Sequence, residues 1–109
     1  KKIKKKKKKQ RISIYNFYNK SIAYIKNPKF NNEKGISFSH CSNFMALAER
    51  RDAKDYIGIY SVKDWKLLNH QSVDTIDLSN LIWATNDSCI AIWDNEINYR
   101  ILFHCPCQG

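Results

Sequence analysis

The chain has 109 residues, of which 43% are hydrophobic and 27% charged, and it carries a formal net charge of +9. That length accommodates one small domain at most. Its three glycines, Gly35, Gly58 and Gly109, lie too far apart to build a GxGxxG loop, a P-loop or a GxSxG elbow, and HExxH is absent. The charge is unevenly placed: eight lysines fall within residues 1–10, and the rest of the chain sets 11 basic against 10 acidic side chains.

In chain order, residues 1–10 read as a self-repelling polylysine tail that is expected to be disordered. Such a tail suits counterion-release binding to nucleic acid, acidic lipid or the acidic surface of microtubules. The favoured reading is a low-complexity insertion in a Lys/Asn/Ile-rich coding sequence, or a misread intron. No aromatic residue interleaves with the lysines, so nothing offers base stacking.

Arg11–Tyr15 and Ser21–Lys26 alternate apolar and polar residues as strands do. A turn over Asn16–Lys20 joins them. Together (residues 11–26) they read as the last two strands of a four-stranded unit. Asn27-Pro28-Lys29 breaks the pairing. Residues 35–70 then read as one complete unit of four short strands: Gly35–Ser39, Phe44–Glu49, Asp55–Tyr60 and Lys66–His70. Each is expected to bury one face. The turn at His40–Asn43 and the charged stretch Arg50-Arg51-Asp52-Ala53-Lys54 are expected to be solvent-facing connections. After a polar connector over Gln71–Asp77, residues 78–103 read as an incomplete further unit, and residues 104–109 remain unassigned.

The units resemble one another. Ile36-Ser37-Phe38-Ser39, a turn and Met45-Ala46-Leu47-Ala48-Glu49 return as Leu81-Ile82-Trp83-Ala84, a turn and Ile90-Ala91-Ile92-Trp93-Asp94. Ile57-Gly58-Ile59-Tyr60 has an earlier counterpart in Ile12-Ser13-Ile14-Tyr15 and a looser later one in Arg100–Phe103. A self-similarity of about 45 residues with four strands per unit is the period of β-propeller blades. The expected fold is therefore all-β, a partial propeller of about two to two and a half antiparallel blades. Because the chain lacks an initiator methionine, with Met45 in mid-strand, it is also expected to be a fragment, and marginal in isolation.

Sites are sparse. Cys41, Cys89, Cys105 and Cys107 lack the spacing of a disulfide framework or a zinc ribbon, and read as structural thiols of a reducing compartment. A metal site built from His104, Cys105, Cys107, His40 and Cys41 is disfavoured. Asp52, Asp55, Asp74 and Asp77 fall in or beside presumed loops, where solvation is the default reading. Trp65, Trp83 and Trp93 read as blade core. No apolar run approaches the ~20 residues of a membrane helix, and no secretory signal is visible. No catalytic, cofactor or metal residue is expected.

KSIAYIKNPK, GISFSHCSNFMALAERRDAKDYIGIY, DWKLLNH, DTIDLSNLIWA and CIAIWD together resemble the WRAP-type family of centrosomal WD-repeat proteins (WD repeat-containing protein eight). The likeness runs from Arg11 to Phe103 and is most specific at Met45–Asp52 with Lys54-Asp55-Tyr56. The family pattern is departed from in two places. Asn69-His70 stands where a Gly-His pair is usual, and Trp93-Asp94 closes a second strand instead of a third. The resemblance implies a non-enzymatic scaffold of the cytoplasmic cytoskeleton, at the centrosome, spindle pole or basal body, serving microtubule minus-end anchoring, spindle organisation and ciliogenesis. It further implies a coiled-coil centrosomal anchoring protein as partner, with a minus-end-directed kinesin in some lineages. Alternatives are a generic WD-repeat adaptor, such as a ubiquitin-ligase substrate receptor, or a lysine-tail nucleic-acid binder. Arg50, Arg51, Asp52 and Lys54, read as a strand-connecting loop, form the candidate protein-contact surface.

Overall fold

Strand formation follows the alternation of Ile, Tyr, Leu and Ala with small or polar residues, interrupted by Asn-, Asp- and Ser-rich turns. The structure, a computed structural model, describes residues 11–30, 32, 34–97 and 100–105. The lysine-rich stretch 1–10, Cys107 and the other residues of 106–109 lie outside the described residues. Nine strands follow in order: β1 (Arg11–Tyr15), β2 (Ile22–Lys26), β3 (Ile36–Phe38), β4 (Phe44–Arg51), β5 (Lys54–Ser61), β6 (Leu67–Ser72), β7 (Asn80–Trp83), β8 (Ile90–Trp93) and β9 (Ile101–His104). They form three antiparallel sheets, β1-β2, β3-β4-β5-β6 and β7-β8-β9. The all-β expectation is borne out. β6 extends to Ser72, so Gln71 and Ser72, expected in the connector, pair with Ile57 and Tyr56.

The repeat recurs in backbone detail. The β3–β4 and β7–β8 turns place Ser42 and Asp87 in the left-handed region, at φ 66° and 59°. Each closes with the same bonds, Ser39 N to Phe44 O and Ser42 N to Ser39 O in one, Ala84 N to Cys89 O and Asp87 N to Ala84 O in the other. The β1–β2 and β5–β6 turns match likewise: Lys20 and Trp65 share a left-handed φ of 57° and 59°. Asn19 and Asp64 each cap the amide two residues on, those of Ser21 and Lys66.

The middle sheet is packed on both faces, which the single-buried-face expectation missed. Met45, Ala46, Leu47, Ala48 and Glu49 are all buried. Met45, Leu47 and Tyr60 pack with Ile25, Ile12 and Ile14 of the first sheet. Ala46, Ala48, Ile57 and Ile59 pack with Leu81, Trp83, Ile90 and Ile92 of the third. The small side chains of Ala46 and Ala48 let the third sheet approach, and Trp83 fills the space, donating from Nε1 to Ser37 O at 3.0 Å. Removing a Leu- or Ile-sized side chain from water contributes roughly 1.5–3 kcal/mol, so these two interfaces supply the main apolar stabilisation. Of the tryptophans expected in the core, Trp83 is buried and Trp65 is half-buried against the first interface. Trp93 is half-buried on the third sheet.

The outer sheets leave apolar residues exposed. Ile82, Ile101 and Phe103 face outward on the third, Tyr15 and Tyr24 do so on the first, and Phe17 is exposed in the turn that joins its strands. Among the described residues no helix is long and apolar enough to cross a membrane.

Candidate protein-contact site

The β4–β5 hairpin carries the candidate contact residues. Its register, Glu49 to Tyr56, Arg50 to Asp55 and Arg51 to Lys54, leaves only Asp52 and Ala53 in the turn. Both are left-handed, at φ 53° and 60°, the requirement of the tight two-residue hairpin turn whose twist matches its strands. This corrects the sequence reading. Arg50 and Arg51 end β4 and Lys54 opens β5, so the loop is a rigid hairpin tip.

The four residues part company. Arg51, Asp52 and Lys54 are exposed. Arg51 and Lys54 stand directly opposite each other, two like charges that repel across the strands unless an anion lies between or above them. Arg50 turns inward: its Nη1 lies 2.9 Å from Asp55 Oδ1, and its Nη2 donates to Ala53 O at 3.3 Å.

Asp55 is the centre beneath the tip, and the sequence reading placed it wrongly in solvent. It is 1% exposed. Its carboxylate takes Lys29 Nζ at 2.9 Å and Arg50 Nη1 at 2.9 Å on one oxygen. The other oxygen accepts from Thr75 Oγ1 at 2.9 Å and Leu78 N at 2.8 Å. Lys29 Nζ also reaches Asp77 Oδ1 at 2.8 Å and Leu78 O at 2.7 Å. Lys29 holds the Asp77 carboxyl below the usual carboxylate range. One buried carboxylate thus ties the link before β3, the β4–β5 hairpin and the link before β7. A buried charge is tolerated only when paired and hydrogen-bonded this fully. The signal available in the sequence was parity: Asp55 shares the strand face of Ile57 and Ile59, where a carboxylate needs a cation. Lys29, far away in the chain, was not identifiable as that cation.

A second buried acid, Glu49, lies on the opposite face. It accepts from Tyr60 Oη at 2.5 Å and pairs with His70 Nε2 at 3.0 Å, and His70 stacks on Tyr56 at 4.9 Å. Burial first, then the bond to Glu49, pushes the Tyr60 hydroxyl above its usual range. Gly58 lies beneath, where a Cβ would collide with Glu49 Oε2. In the third sheet Asp94 takes the corresponding place. It accepts from the backbone amides of Ile76 at 2.9 Å, Asp77 at 2.8 Å and Asn95 at 3.0 Å. Burial pushes its carboxyl up, but those amides and Arg100 outweigh it and hold it low. Asp87 clasps the neighbouring sheet, accepting from His40 N at 2.8 Å and Cys41 N at 2.9 Å. These bonds, that to His40 first, lower its carboxyl. Cys41 and Cys105 are free and exposed, and Cys89 is free and half-buried. Among the described residues no cluster of three or more His, Cys, Asp or Glu side chains is placed to hold a metal.

Consecutive antiparallel sheets, stacked face to face, with the β3–β4 turn repeated at β7–β8 and the β1–β2 turn at β5–β6, form a partial β-propeller. No family model matches the chain. It is 40% identical over 94 residues to WD repeat-containing protein WRAP73 of Mus musculus, a match covering 86% of this chain and 20% of that protein. The chain thus spans about a fifth of the length of the curated relative it matches, and the likeness supports a WD-repeat family. No solved structure matches.

Proposed function

We propose that the chain is part of a non-enzymatic propeller scaffold that works at the centrosome, spindle pole or basal body, in microtubule minus-end anchoring, spindle organisation and ciliogenesis. The observation that carries this reading is the likeness to a WD-repeat relative along 94 residues, which includes the charged hairpin tip. The contact is made there, by Arg51, Asp52 and Lys54, with Arg50 serving as the brace that fixes the tip through Asp55. Two opposed, exposed cations on a rigid turn select a partner with an acidic patch, because an anion between them relieves their repulsion. A coiled-coil anchoring protein of the centrosome that presents surface carboxylates would fit that chemistry, and a minus-end-directed kinesin is a further partner of the assembly.

Affinity purification of the tagged endogenous product from dividing cells tests this. Recovery of centrosomal coiled-coil proteins is expected. Recovery of ubiquitin-ligase subunits without centrosomal ones would replace the proposal with the generic adaptor.

A further inference from the structure

From the charge pattern of the β4–β5 hairpin we infer that Arg51 and Lys54 form a phosphoryl-recognition site, which engages a partner protein at a phosphorylated serine or threonine. The inference rests on the reading of this tip as a protein contact, and it adds the chemical group that the tip selects. Phosphorylation of the partner then controls the contact.

The hairpin carries two successive cross-strand pairs, Arg50 with Asp55 and Arg51 with Lys54. Successive pairs point to opposite faces of a sheet. On one face Arg50 meets Asp55 at 2.9 Å, and the charges match. On the other face Arg51 and Lys54 are exposed, and among the described residues neither forms an ion pair. Glu49, the acid that shares their face, is committed to Tyr60 Oη at 2.5 Å and His70 Nε2 at 3.0 Å. Asp52 is exposed in the turn, and the two cations outnumber it. The repeat does not demand this pair. Glu96 stands 45 residues on, at the position of Arg51, so the third sheet places the opposite charge there.

Charge number and reach select the guest. Residues directly opposite each other on two strands hold their Cβ atoms ~4.5–5.5 Å apart, so both cationic heads reach one small anion. A single carboxylate brings one negative charge and leaves the second cation unpaired. A phosphoryl group brings about −1.5 to −2 and three strong acceptor oxygens. The Arg51 guanidinium takes two of these in its planar fork, and the Lys54 ammonium takes the third. The geometry is set before the guest arrives. Asp52 and Ala53 hold the tight turn at φ 53° and 60°, and Arg50 ties the end of β4 to the buried Asp55. Little backbone ordering is then left to oppose binding.

The test titrates the isotope-labelled full chain with three capped peptides and follows its backbone amides by NMR. The peptides are alanine-phosphoserine-alanine, alanine-glutamate-alanine and glutamate-glutamate, the last spreading two charges over two carboxylates. At about pH 7.5 the phosphoryl group is mainly a dianion. Saturable shifts are expected at residues 50–55, with the phosphoserine peptide bound about three- to tenfold more tightly than either glutamate peptide. Arg51→Gln should bring the phosphoserine peptide level with glutamate-glutamate. Equal binding of those two by the unaltered chain would overturn the phosphoryl inference and leave the acidic contact standing. Absence of shifts at the tip with all three peptides, or shifts spread evenly over the chain's lysines, would overturn both. The comparison of peptides on the unaltered chain stands whether or not the variant folds.

Discussion

Asp55→Ala is the perturbation that probes the packing of the whole chain. The substitution removes the one carboxylate that holds Lys29 Nζ and Arg50 at 2.9 Å each and accepts from Thr75 and Leu78 N. The Lys29 side chain, 7% exposed, then keeps Asp77, the Leu78 carbonyl and the face of the Phe30 ring. Removing one partner of a buried pair costs about 3–5 kcal/mol because the other charge stays behind, and the orphaned Leu78 amide adds roughly 1 kcal/mol. A domain near 100 residues loses about 4–8 °C in Tm per kcal/mol, so a shift beyond about 12 °C is expected. The assay is thermal unfolding for the Tm and urea unfolding for the free energy, both followed by tryptophan fluorescence, since Trp83 is buried at the interface the network holds. Lys29→Met in the Asp55→Ala background should recover part of the loss, giving a coupling above about 1 kcal/mol. A loss under 1 kcal/mol, or strict additivity of the two substitutions, would refute a buried, satisfied network at this place.

Ala53→Gly should stabilise the chain by up to about 1 kcal/mol, because a left-handed φ of 60° strains a residue with a Cβ; an unchanged urea midpoint would argue against the tight turn. Gly58→Ala should cost about 1–3 kcal/mol, since the new methyl collides with Glu49 Oε2 and lies 2.9 Å from the Tyr60 ring. In acid, two steps are expected in a series of denaturation midpoints. Burial lowers the His104 pKa, so its contribution is present above the unfolded value near ~6.5 and fades as pH falls below it. The carboxyls of Asp77, Asp87 and Asp94 are also held low. Their contribution is present above about pH 4 and is lost as pH falls through their folded values. His104→Leu should abolish the first step and leave the second.

Much of the fold was legible because strands with turn-forming links write their period into the sequence, and a second copy confirms the register. Phe38 and Trp83, or Ala46 and Ala91, announced equivalent positions without any knowledge of packing. Burial was harder to read. Ala46 and Ala48 look like the solvent side of an alternating strand, yet they are buried because small residues admit a neighbouring sheet. The candidate site was half legible. The charged run around Arg50–Lys54 stood out, but Asp52-Ala53 lacks the Asn-Gly or Asp-Gly signature of a tight hairpin, so the turn was drawn too long. The roles of Arg50 and Asp55 depend on Lys29, which only the stacking of sheets brings near. Asp87 likewise acts across sheets, on amides that no local pattern marks.

The scaffold reading stands or falls with the hairpin tip. The most direct measurement is the spindle-pole intensity of the tagged endogenous product against the same product carrying Arg51→Glu and Lys54→Glu, at matched abundance. Both side chains are exposed, so the changes leave the Asp55 network in place. Wild type is expected at the poles, with the double variant reduced to a diffuse background. A diffuse wild type, or a variant as bright at the poles as wild type, would contradict the proposed contact.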